Sequence, residues 1–100
     1  MKYIPDRWLV LEITSPTGEK HRRVFGSWLG GYLDGDSWRM NSGVTKVVEK
    51  KKHYNFHGES GSVYKCYKGG EGTSAYTAFV VEGLIKDAGK QGVVVEVVNV

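Results

Sequence analysis

The chain has 100 residues, of which 40% are hydrophobic and 25% charged, with a formal net charge of +3. That balance excludes a disordered polyelectrolyte and suits one domain, residues 1–100, with one core. A single cysteine, Cys66, excludes an intramolecular disulfide and fits a reducing, cytoplasmic setting.

The opening MKYIPDRW lacks the apolar run of a secretory signal. The apolar run near the C-terminus, VVVEVVNV, is far too short to cross a bilayer, so no membrane partner is expected.

Trp8 to Thr14 reads as a strand, with Leu9, Leu11 and Ile13 on one face. Ser15-Pro16-Thr17-Gly18 is a turn, and His21 to Phe25 returns as the second strand of an antiparallel hairpin. Gly26 to Asp36, GSWLGGYLDGD, reads as a glycine-shaped loop held to the body by Trp28, Leu29, Tyr32 and Leu33. Ser37 to Met40 is a short strand, and Asn41-Ser42-Gly43 a turn.

A second hairpin follows. Its first strand runs from Val44 to Glu49, its turn lies around Lys50 and Lys51, and it returns through Tyr54 and Phe56. Alternation puts Tyr54 and Phe56 on one face and leaves Lys52, His53, Asn55 and His57 mostly outward. Ser62 to Lys68 is a further strand. Thr73 is the expected N-cap of one helix, Ser74 to Gly89, with an apolar stripe of Tyr76, Phe79, Val80, Gly83, Leu84 and Ala88. Gly83 costs about 1 kcal/mol in a helix, and close packing on the sheet is the expected reason. Val93 to Val98 closes the chain as a strand apolar toward both faces.

The fold class these elements predict is α+β. It is a twisted antiparallel sheet of six or seven strands with one α-helix packed on one face. The helix is expected to bury Tyr76, Phe79, Val80 and Leu84 against Leu9, Leu11, Ile13, Tyr54 and Phe56. The two-faced apolar C-terminal strand requires a second cover, either the Trp28–Trp38 loop or another copy in a homodimer.

No complete catalytic set is legible, which favours a non-enzymatic module. GESGS, residues 58–62, departs from the G-x-S-x-G elbow at Ser62, so it reads as a polar turn. Cys66 sits in an apolar-aromatic strand and reads as a small buried hydrophobe. A thiol or hydrolase site at Ser60, Cys66, His53 or His57 ranks last. His53 and His57 on a strand lie about 13 Å apart, too far for one metal ion. Asp34-Gly35-Asp36 lacks the remainder of a calcium loop. GGEGT, residues 69–73, lacks the lysine of a phosphate loop. No metal and no cofactor are expected.

Binding residues fall in two groups. Trp28, Tyr32 and Trp38 on the glycine-rich segment offer a protein-binding patch, and a protein partner is the first reading. Lys50, Lys51, Lys52, His53 and His57, with Lys46, Tyr54 and Phe56, offer a basic-aromatic surface for nucleic acid. That reading ranks second, because aromatics at strand spacing more often supply core.

Overall fold

The computed structural model describes residues 1–31 and 35–100. Their elements in chain order are β1 (Lys2–Tyr3), β2 (Arg7–Thr14), β3 (Lys20–Gly31), β4 (Gly35–Met40), β5 (Val44–Glu49) and β6 (His53–Gly58). β7 (Val63–Tyr67), α1 (Ala75–Gly89) and β8 (Val94–Val98) follow. The fold is α+β, as the sequence predicts, but the strands divide between two sheets instead of forming one. An outer sheet has the order β1-β7-β6-β5, and a middle sheet β4-β3-β2-β8. Among the described residues the named strands pair antiparallel except β1 with β7, and Trp8 makes one isolated parallel bridge to Glu71.

The reason for two sheets lies in β2. Trp8-Leu9-Val10-Leu11 is apolar on both faces, so it needs cover on both. Trp8 and Val10, with Val24 of β3, meet Phe56, Tyr64 and Cys66 of the outer sheet in one fully buried cluster. Leu11, Phe25 and Val95 face the other way and pack with Val81 of α1, with Leu9, Ile13, Met40 and Leu84 around them. The layers are therefore outer sheet, middle sheet and helix. Tyr54 and Phe56 belong to the first interface: their rings lie 5.9 and 5.6 Å from Trp8, and neither meets the helix as expected.

The outer sheet is also the second cover that β8 needed. Val98 packs into the first cluster and Val95 into the second, while Val94 stays exposed. β8 lies at an edge of the middle sheet, paired with β2 alone.

The helix begins at a different residue and is rolled relative to the predicted stripe. Ser74, not Thr73, is the N-cap, and it forms a reciprocal pair with Thr77. The Thr77 N–H donates to Ser74 Oγ at 3.2 Å, and the Ser74 N–H donates to Thr77 Oγ1 at 2.9 Å. That pairing satisfies Thr77 and lets it be buried beneath the helix. The inward face is Thr77, Val80, Val81, Leu84 and Ala88; Tyr76 and Phe79 are 53% and 73% exposed. Apart from Leu84 the inward side chains are small or β-branched, and the large rings are left outside.

Gly83 shares that outward side, and a Cβ there would meet nothing within 4 Å. Close packing therefore does not explain it. Gly83→Ala is expected to raise stability by up to about 1 kcal/mol, read as a higher urea midpoint. An unchanged or lower midpoint would show that the position is packed after all.

The segment read as a glycine loop is largely strand. β3 continues through Gly31, and β4 resumes at Gly35. Two of its glycines serve close approach: a Cβ on Gly26 would lie 3.1 Å from the Pro5 ring, and one on Gly30 3.0 Å from the Gly35 backbone. Where β4 ends, the buried Asn41 extends the ladder, accepting the Val24 N–H on Oδ1 at 2.8 Å.

Candidate functional site

The expected residues separate into three places. Trp28 and Trp38 neighbour each other across the β3–β4 ladder but serve different cores. Trp28 packs against the first cluster and donates its indole N–H to the Ile4 carbonyl at 3.1 Å. Trp38 stacks on Phe25 of the second cluster at 5.3 Å and remains 39% exposed. The two share a shallow cleft of about 300 Å³ with Tyr3, Ser37 and Arg39, in which the Arg39 guanidinium already covers the Tyr3 ring at 4.9 Å. Tyr32 lies outside the described residues.

The nucleophile candidates do not converge. Cys66 is fully buried on the core face of β7, whereas His53 and His57 lie on the opposite face of the sheet. Burial pushes the Cys66 thiol up to about 12, so it stays neutral and unreactive at physiological pH. The Ser60 hydroxyl lies 3.1 Å from that of Ser62, inside a turn tied to Ser42. In the glycine run before the helix, the Gly72 N–H is taken by the Trp8 carbonyl at 2.8 Å. Among the described residues no group of three His, Cys, Asp or Glu side chains is placed to hold a metal ion.

The basic hairpin is different, because its neighbours complete it. Strand alternation sends Phe56, Tyr64 and Cys66 inward. The intervening positions form the outward face of the outer sheet, and the register fixes their neighbours. His53 lies opposite Tyr67, Asn55 opposite Lys65 and His57 opposite Val63 on β7. On the other side Lys46 lies opposite His57 and Val48 opposite Asn55. Lys50 closes the row, its N–H donating to the His53 carbonyl at 2.8 Å. Lys2 of β1 adds a fourth lysine beside Val63. Directly opposed side chains on such a face are about 5 Å apart at Cβ.

No carboxylate occupies an outward register position on any of the four strands. The Glu49 carboxylate takes the Lys68 ammonium at 2.6 Å, and Lys68 in turn lies over the ring of the core residue Tyr54 at 5.1 Å. Lys2, Lys46, Lys50 and Lys65 alone exceed the +3 of the whole chain. Lys51 and Lys52 extend the positive field at the exposed turn. That turn needs no Asn-Gly pair, because no non-glycine residue among those described has a positive φ.

His53 responds first to burial and then to this field. Partial burial, and then the charges of Lys65, Lys2, Lys50 and Lys68, hold its imidazole below the usual histidine range. At neutral pH it is therefore a neutral aromatic ring among lysines. It meets Tyr67 edge to face at 5.9 Å, and the Lys65 ammonium lies 5.2 Å from the Tyr67 ring centre.

Lys65 and Tyr67 are the residues sequence reasoning missed. Their signal was the parity of VYKCY: once Tyr64 and Cys66 point inward, Lys65 and Tyr67 must point out. Lys2 had no such signal, since its place depends on a two-residue parallel pairing. Comparison with family models, with curated proteins and with solved structures found no match to the chain.

Proposed function

We propose that the chain is a small, non-enzymatic nucleic-acid-binding module that uses the outward face of its outer sheet, within a reducing compartment such as the cytoplasm. One observation carries this reading. Among the described residues, four lysines, two histidines and a tyrosine share a sheet face that no helix covers and whose register positions hold no carboxylate. Ordinary solvated sheet faces mix both signs of charge, so that like charges do not lie opposite one another. Here four lysines share a face with no carboxylate at its register positions, and a polyphosphate backbone would offset their charge.

The test is binding of a labelled random oligonucleotide as a function of salt. Four phosphate contacts predict a slope of about −3 in log affinity against log salt for a single strand. Absence of binding at low ionic strength would remove the proposal.

A second reading, a docking module for a protein partner, rests on the helix. Phe79 and Tyr76 stand on its outward side and are exposed among the described residues. A partner held there would be released by Phe79→Ser and retained by Lys65→Glu, the reverse of what the basic face predicts.

A further inference from the structure

We infer that Tyr67 is a stacking platform for an unpaired base, and that the ligand of the basic face is therefore single-stranded. This rests on the nucleic-acid reading of that face and names its substrate class. Tyr67 is 44% exposed, yet its backbone is fixed on both sides. Its carbonyl accepts the indole N–H of the fully buried Trp8 at 2.7 Å, and the next N–H, of Lys68, donates to the Lys52 carbonyl at 2.9 Å. An exposed ring on a pinned backbone is preorganised for stacking and loses little freedom when a flat partner arrives.

The ring's surroundings point to a nucleobase in particular. His53 stands edge-on at one side of it, and Lys65 reaches over it from the next outward position on β7. A base laid on Tyr67 would have the His53 ring beside it. The phosphates flanking that base would fall among Lys65, Lys50 and Lys2, which share the face. A polysaccharide polyanion such as heparin could use the lysines but has no flat aromatic face to offer the ring. A duplex keeps the flat faces of its bases inside the stack, so Tyr67 would add nothing to duplex binding. Base–aromatic stacking tolerates any sequence, because every base has a π-face.

The experiment compares three probes on the full chain: a random single-stranded DNA oligomer, the same sequence as a duplex, and heparin. Tyr67→Ala is expected to weaken single-strand binding about tenfold and leave duplex and heparin binding unchanged. Tyr67→Phe, which keeps the ring, should bind the single strand like the wild type. Melting curves of both variants establish that the fold is kept. Loss on all three probes alike, or loss of single-strand affinity in Tyr67→Phe as well, would overturn the stacking role. Wild-type single-strand binding that Tyr67→Ala leaves untouched would overturn this inference and spare the proposed function. No binding of any probe by the wild type would overturn both.

Discussion

Phe56→Ala is expected to lower stability by about 3–5 kcal/mol, the range for emptying a buried aromatic site. The ring is 1% exposed and sits where the two sheets meet. Trp8 approaches it from the middle sheet at 5.6 Å, and Tyr54 flanks it along its own strand at 5.8 Å. Val47 and Tyr64 lie opposite it on the neighbouring strands. Removing the ring leaves a void between two sheets that are each tied by their own ladders, so neither can collapse fully into it. A domain of this size has about 5–15 kcal/mol in total, so the loss consumes a large part of the margin. Phe79→Ala provides the control. Its ring is 73% exposed, and the expected change is within about 0.5 kcal/mol. Urea denaturation of the two variants reads the difference. Equal midpoints would mean that the sheets are not joined through Phe56.

That contrast also marks where the sequence was legible. Element types were readable because each has its own period: alternation in RWLVLEIT and VYKCY, and threes and fours in AYTAFVVEGLIKDAG. Which face turns inward was harder. The helix carries two apolar stripes that share Val80, Leu84 and Ala88, and hydrophobicity alone favours the one with Tyr76 and Phe79. What decides is that Thr77 can be buried once Ser74 satisfies it, a cap interaction that no hydropathy pattern records. The division into two sheets was present in the doubly apolar run Trp8 to Leu11, but assigning that run one inward face concealed it. The candidate face was half legible. His53 and His57 were expected outward on the hairpin, and Lys65 and Tyr67 join them only through the β6–β7 register. Pairing between strands is a long-range fact, and a local pattern does not contain it.

Reversing two charges on that face, Lys46→Glu with Lys65→Glu, is expected to abolish nucleic-acid binding at moderate salt while the fold survives. The two lysines stand on β5 and β7 and flank the β6 row of His53, Asn55 and His57. Reversal offsets the four positive charges of Lys2, Lys46, Lys50 and Lys65, so the face becomes neutral overall. Each phosphate contact contributes about 0.7 to the salt slope of a single strand, so losing two should flatten the slope by about 1.4 and lower the affinity by well over tenfold. Stability should change by less than about 1 kcal/mol, because neither lysine pairs with a carboxylate among the described residues. A separate readout needs no ligand at all. Positive neighbours disfavour the protonated imidazole, and Lys65 is the strongest of the charges that hold His53 down. Placing a carboxylate there reverses the sign, so the His53 pKa must rise in the double variant, as followed by the ring protons in an NMR titration. An oligonucleotide bound to the wild-type face should move His53 in the same direction, because phosphates bring the same negative charge. If the double variant shifts His53 but binds the oligonucleotide as tightly as the wild type, the face is electropositive without being the contact surface. The basic-sheet reading then falls, and the outward side of the helix becomes the place to look for a partner.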